Sequence, residues 1–234
     1  MIPISARLLT CASMVTGAFV CDIGTDHAYL PVYLVMSGKC RQAIATDIKE
    51  GPLNSAKGTL KRYGVSSSIK LILSDGFDKV NPKGVTDVVI AGLGGENIRD
   101  ILASKKAEFI RNGINLVLQP MSKAEVLRAW LAENGFAVLK ETAVKDNHVY
   151  TVMQAHYTGE KRVISEAEAY IGLLNRGELL TKIYIAGVQD RLHTRAHGLE
   201  DAGQTAEAEQ VRRLIGRIND WLMNGKEPDN GNDD

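Results

Sequence analysis

Short apolar runs alternate with amphipathic stretches over the first two thirds of the chain, and helical periodicity alone governs the last third. Residues 20–23, 42–47, 69–73, 87–91 and 115–118 read as five short strands. The fourth, Asp-Val-Val-Ile-Ala, is nearly all apolar, as a parallel strand covered on both faces should be. Helices are predicted between them over 26–36, from Gly51-Pro52 to about 63, over 96–103 and over 123–133, with Pro52 suited to a first turn. Before the first strand, Ile4, Leu8, Cys11 and Val15 mark one face of a short helix that Ser5 can cap. Residues 136–142 and 149–157 are strands with only Lys145-Asp146-Asn147-His148 nearby and no helix between them, so they should pair antiparallel, with His148 a surface residue at the turn. Strand signals stop at residues 158–162. Ile164, Ile171, Leu174, Ile185 and Leu192 then mark one long helix, and Val211, Leu214, Ile215, Ile218 and Leu222 a second. A reversal over 198–204 makes these an antiparallel helical hairpin, and residues 225–234 are expected to be a disordered tail. The expected division is 1–159, 160–224 and 225–234.

The 234 residues suit one full domain with an appendage, and 44% apolar content supports a substantial core. The formal net charge is zero, so overall charge does not point to a nucleic-acid partner. Its distribution says more: residues 160–234 hold 10 Lys+Arg against 14 Asp+Glu, and the first 159 hold 18 against 14. That mild positive bias permits an anionic substrate without requiring one. Cys11, Cys21 and Cys40 show neither a disulfide framework nor a zinc pattern, so no metal is expected. With no signal-like or membrane-spanning apolar run, a cytoplasmic location is expected.

Candidate chemistry gathers where the apolar runs end. Gly24 turns the first strand toward a helix, which would present backbone N–H groups to an adenosine-bearing cofactor. A plain strand-to-helix turn is the alternative, since only Gly24 stands where a dinucleotide fingerprint needs three glycines. Asp47, about 20 residues on, sits where a Rossmann-type unit places a carboxylate against ribose hydroxyls, or it caps a helix. Ser74-Asp75-Gly76 can reach an adenine amino group or form a self-bonded turn. Gly92-Leu93-Gly94-Gly95 follows a core strand and precedes a helix, which favours a loop facing substrate or cofactor. Arg7 lies off its helix's apolar stripe and reads as a solvated charge, or as a cation held over the cofactor mouth.

A Rossmann-like sheet that is parallel except for one strand of a terminal antiparallel hairpin resembles class I S-adenosylmethionine-dependent methyltransferases. The likeness rests on Asp22-Ile23-Gly24-Thr25-Asp26-His27, Asp47, Ser74-Asp75-Gly76 and the run from Asp87 to Gly95. More closely, Asp-Ile-Gly-Thr-Asp-His-Ala-Tyr-Leu-Pro, Ala-Gly-Leu-Gly-Gly, Leu-Gln-Pro and the helical hairpin resemble the bacterial TrmK family, which methylates N1 of adenine 22 in tRNA. The resemblance implies S-adenosylmethionine as cofactor and tRNA as partner, with no metal and no membrane. It implies Asp22, Gly24, Thr25, Asp26 and His27 at the methionine portion, Asp47 at the ribose hydroxyls, and Asp75 with Gly76 near the adenine. Ile48, Ala91 and Gly92 join the cofactor set, and Arg7 falls in a Ser-x-Arg-Leu segment used near the cofactor. Where some members carry asparagine after Leu-Gln-Pro, this chain has Met121, which leaves Gln119, Ser122 or stacking on Met121 to hold the target base.

The lone pair on N1 of neutral adenine is already a nucleophile, so such an enzyme mainly positions its reactants. The base would be flipped into a mouth beside residues 92–95. Asp26, His27, Tyr29, Gly92, Gly94 and Gln119 are the expected contacts around it, with packing as the alternative role for Tyr29. RNA contact is expected from Arg191, His193, Arg195 and His197 near the hairpin tip and from Arg212, Arg213 and Arg217, unless these only pair with nearby acids. The hairpin could instead make a homodimer. An NAD-dependent oxidoreductase, a non-catalytic RNA-binding module and a methyltransferase acting on another RNA or a small molecule are the rival readings.

Overall fold

The computed structural model describes residues 2–225. Seven strands form one sheet in the order β3-β2-β1-β4-β5-β7-β6. They are β1 (Phe19–Ile23), β2 (Gln42–Asp47), β3 (Ile69–Leu73), β4 (Asp87–Gly94), β5 (Asn115–Ser122), β6 (Phe136–Lys145) and β7 (Val149–Tyr157). The first five pair in parallel, and β7 runs antiparallel between β5 and β6. The expected sheet, one reversed strand in a terminal hairpin, is the one observed.

Both faces are covered, which is why the central strands carry apolar residues at consecutive positions. Val20, Ala43, Ala45, Val89 and Val117 pack under α1 (Ala6–Met14), α2 (Tyr29–Met36) and α3 (Glu50–Tyr63). Cys21, Ile44, Val88, Ile90, Leu116 and Leu118 pack on the other face under α4 (Gly95–Ala103), α5 (Ala124–Glu133) and a 3-10 helix, Lys105–Arg111, that the periodicity did not signal. Each of the buried Val, Ile and Leu side chains among these contributes roughly 1.5–3 kcal/mol. The three cysteines are free and buried, and burial pushes the Cys11 and Cys40 thiols up to about 12 and about 11. At the amino ends of the strands, buried Asp87 accepts from the N–H groups of Thr16 and Gly17, both at 2.8 Å, and from Asn115 Nδ2 at 2.7 Å. Asp87 therefore pins the sheet edge opposite the glycine turns.

Several boundaries differ from the expectations. α2 begins at Tyr29 and not at Asp26, because Ala28 takes a left-handed backbone (φ 56°) that helices do not propagate. The single helix expected over 164–192 is broken into α6 (Glu166–Ile171) and α7 (Leu179–Asp201). A buried ion pair holds the chain at the break. Arg128 Nη2 donates to Glu141 Oε1 at 2.7 Å while Nη1 donates to the Ala169 carbonyl at 2.6 Å, and Glu141 Oε2 accepts from the Leu173 N–H at 2.9 Å. Gly172 breaks the helix there at φ 65°, ψ −155°, pressed so closely on both charged groups that a side chain would collide with them. α7 and α8 (Thr205–Asn224) do pack as the expected antiparallel hairpin through Ile185, Val188, Leu192, Val211, Leu214 and Ile218. The reversal is shorter than expected, at residues 202–204, because α7 continues to Asp201. Arg191, His193, Arg195 and His197 consequently lie along the helix and not at its tip. The tail reading for 225–234 falls, beyond Gly225, outside the described residues.

Candidate cofactor and base-binding site

The parallel strand order reverses between β1 and β4, so the crevice of this sheet opens at their carboxyl ends. Gly24 leaves β1 at φ 79°, and its N–H and that of Thr25 both donate to the Thr46 carbonyl, at 2.9 and 2.7 Å. These bonds tie the turn to β2 and hold open the loop from Gly24 to Ala28. Gly24 faces Leu93, the centre of the glycine run on β4, so the two turns line one crevice. Asp26 is exposed, with its carboxylate 3.5 Å from His27 Nε2. His27 in turn stacks on Tyr29 with ring centroids 5.2 Å apart.

Asp22 stands beneath this loop, buried, with its carboxyl pushed from 3.8 up to about 6. Burial is the main cause. A hydrogen bond from Thr25 opposes it, and the Asp47 carboxylate adds to the rise. Asp47 Oδ1 accepts from the Lys49 N–H at 2.8 Å, a local turn bond that leaves its second oxygen without a described partner. The next residue, Ile48, is a large apolar side chain 61% exposed beside that acid. Ser74 fastens the following turn by accepting from the Lys79 N–H and donating to the Gly76 carbonyl, both at 3.1 Å, while the Asp75 side chain stands exposed.

The three glycines of the Gly-rich run have different surroundings. Gly92, at φ 85°, opens toward Arg7. Gly94 abuts the Ser122 hydroxyl, and Gly95 sits against the Lys123 carbonyl, where the close crossing of two chain segments excludes a side chain. β4 and β5 extend through this region with irregular pairing after Ala91, so the expected free loop is largely a distorted strand end.

Arg7 is not the solvated charge of the first reading. Its Nη1 donates to Gln119 Oε1 at 2.5 Å, and its Nε lies 3.7 Å from the Asp146 carboxylate on the β6–β7 turn. Gln119 Oε1 also accepts from the Gly92 N–H at 3.0 Å, and its Nε2 donates to the Pro120 carbonyl at 2.8 Å. Gln119 is fully buried, with both ends of its amide engaged. Met121 and Ser122 follow it as exposed residues at the rim.

The structure thus gathers Asp22, Gly24, Thr25, Asp47, Asp75, Ala91, Gly92 and Gln119 at consecutive carboxyl ends of parallel strands. Sequence reasoning missed the joining of Arg7, Gln119 and Gly92, since the bonding residues stand more than 25 positions apart. It also missed Asp146 and the strained Ala28, for which no local signal existed. His148 lies exposed beside the β6–β7 turn as expected.

Residues 4–153 match a family model described as a methyltransferase domain. The tRNA (adenine(22)-N(1))-methyltransferase of Bacillus subtilis (strain 168) is 31% identical over 231 residues, covering 94% of each chain. Streptococcus pneumoniae Sp1610, solved in complex with S-adenosyl-L-methionine, superposes with a TM-score of 0.78 at 29% identity over 94% of this chain and 99% of that one. Mycoplasma capricolum TrmK, solved with S-adenosyl-homocysteine, superposes with a TM-score of 0.75 at 25% identity over 94% and 97%. A glycine turn at the switch point of the sheet, a matching methyltransferase domain and likeness across nearly the whole length converge: this chain belongs to the TrmK family of class I methyltransferases.

Proposed function

We propose that the protein transfers the methyl group of S-adenosylmethionine to N1 of adenine 22 in tRNA. The observation that carries this reading is the convergence of Gly24, Asp47, Asp75 and Gly92 on one crevice at the carboxyl ends of four adjacent parallel strands. The donor set suits that cofactor. Asp22 is an acid held under a turn, matched to the ammonium group of the cofactor's amino-acid end. Asp47 keeps one oxygen for ribose hydroxyls, Ile48 and Ala91 offer apolar surface, and Asp75 with Gly76 faces the adenine. The cofactor supplies an activated methyl on a sulfonium, and the protein's own task is alignment, with reacting atoms at roughly 3–3.5 Å.

In this reading Asp26 and His27 contact the methionine portion, and one of the two, both reaching solvent, bonds the N6 amino group of a flipped adenine. Tyr29, already stacked on His27, extends an aromatic surface beneath that base. Gly92 and Gly94 let the base approach the backbone. Gln119 acts from behind: its buried amide joins Gly92 to Arg7 and fixes the wall against which the base rests. Residues 1–159 form the catalytic unit and 160–224 a hairpin that assists with tRNA, as a monomer or as a homodimer joined through the hairpin. Among the described residues no helix is long and apolar enough to cross a membrane, and no cluster of three His, Cys, Asp or Glu could hold a metal ion.

The test is methyl transfer from labelled S-adenosylmethionine to unmodified tRNA, followed by nucleoside analysis. Label in 1-methyladenosine that disappears when adenine 22 is replaced supports the reading. Transfer to another nucleoside, or none, overturns it.

A further inference from the structure

Ala28 holds the cofactor loop in a conformation that alanine disfavours. Its backbone is left-handed, at φ 56° and ψ 26°, and among the described residues only Lys123 also combines a side chain with a positive φ. Both stand between the carboxyl end of a parallel strand and the helix that follows it, at the crevice end of the sheet. For Lys123 the reason is local: its carbonyl is pressed against Gly95 where two chain segments cross. Ala28 has no such crossing. It occupies the N-cap position of α2 without a side-chain cap bond, and glycine would take the same backbone at no steric cost. Strain of this kind persists only where the surroundings enforce it, and it gathers at functional sites.

The neighbours show what the turn accomplishes. His27 and Tyr29 stack with ring centroids 5.2 Å apart and planes 18° from parallel. Residues two apart on a helix do not face each other, so the pair would be split if α2 ran back through Ala28. The left-handed residue between them brings both rings to one side. The loop is also fastened at each end. Gly24 and Thr25 donate to the Thr46 carbonyl, and the Ala28 carbonyl accepts from the Val32 N–H at 3.0 Å. The Ala28 methyl is 1% exposed, in the core that Val20, Leu30 and Val32 share. A return to negative φ would swing that methyl out of the core.

We infer that Ala28 is a positioning residue for methyl transfer: its buried methyl locks the left-handed turn that stacks His27 on Tyr29 at the base site. The inference rests on the proposed transfer to tRNA and adds the residue that preorganises the pair. Glycine at this position would release the strain, yet it would no longer hold the loop to one conformation. Alanine here gives up stability in exchange for order at the site.

The test is Ala28→Gly, alone and in a Tyr29→Ala background. Melting temperature, methylation kinetics and the proton spectrum of the His27 imidazole, assigned with His27→Gln, are measured for each. Relief of strain opposes the loss of one buried methyl and the added freedom of the unfolded chain, so the melting temperature should stay within about 4 °C of the unaltered chain's. The value of kcat should nonetheless fall about tenfold. The upfield ring-current shift that Tyr29 imposes on His27 should shrink in the cofactor-free protein. With Tyr29→Ala already present, Ala28→Gly should cost less than about twofold, because the pair it orders is gone. Three results would overturn the inference and leave methyl transfer intact: equal losses in both backgrounds, a kcat that Ala28→Gly leaves unchanged, or a melting temperature that drops in step with activity. A ring-current shift absent from an unaltered chain that methylates tRNA does the same. An unaltered chain that shows the shift and methylates no tRNA overturns the proposed function, and the role of Ala28 with it.

Discussion

Burial raises the Asp22 carboxyl from 3.8 to about 6 against the pull of its Thr25 hydrogen bond, with the Asp47 carboxylate adding to the rise. Because the folded value exceeds the unfolded one, the stability linked to this group is full below about pH 4 and is lost as pH rises through about 6. A shift of two units amounts to about 3 kcal/mol. In the proposed function the ionised carboxylate meets the ammonium group of the cofactor, so calorimetric affinity for S-adenosylmethionine should increase as pH rises through about 6. Asp22→Asn should flatten that profile and weaken binding at pH 7.5 by tenfold or more. It should also make the cofactor-free protein's melting temperature less sensitive to pH between 4 and 7. Arg7 offers a second test. Arg7→Ala leaves the buried Gln119 carbonyl with the Gly92 N–H alone, which costs about 1–2 kcal/mol and about 2–8 °C in melting temperature. If Gln119 positions the wall at Gly92, kcat should fall by more than KM for S-adenosylmethionine rises. Asp22 and Gly24 were legible from the sequence because a strand, a turn and an acid stand side by side. Arg7 was not, because its partner lies 112 residues away.

At the scale of elements, the bond between sheet and hairpin is concentrated in Arg128 on α5 and Glu141 on β6. Removing one partner leaves the other charge buried and unpaired, so Arg128→Ala or Glu141→Ala should destabilise the protein by about 3–5 kcal/mol in denaturant unfolding. An apolar pair, Arg128→Met with Glu141→Leu, should cost less than either single change. It would still release the Ala169 carbonyl and the Leu173 N–H that anchor the start of the hairpin. Gly172→Ala should destabilise by a similar route, since its backbone lies in a region open to glycine alone and its added carbon would strike both charged groups. Apolar spacing shows which residues want to be buried, and it placed all seven strands. It does not show where a helix must yield to a neighbour, so residues 164–192 read as continuous when the chain breaks at Gly172 against the ion pair.

At the scale of the whole molecule, the acids and bases sum to zero, yet Lys123, Lys145, Arg191 and Arg195 line one cleft between α7 and the sheet. Binding of tRNA should therefore depend steeply on salt. If the four lining cations each meet a phosphate, the slope approaches about −3 and affinity falls roughly 50-fold between 50 and 200 mM. Binding of S-adenosylmethionine, measured beside it, should change little. Taken alone, the sequence determined the alternation of strands and helices, the reversed terminal hairpin, the helical appendage and the acids and glycines at the strand ends. These follow from local periodicity and from residues whose chemistry acts on immediate neighbours. Only the tertiary structure decided that Arg7 turns inward to Gln119, that Asp87 braces the edge away from the crevice, and that Arg191 and Arg195 face the sheet. Each of those depends on which distant segments meet. Packing and register fix those meetings, and neither spacing nor composition carries a signal for them.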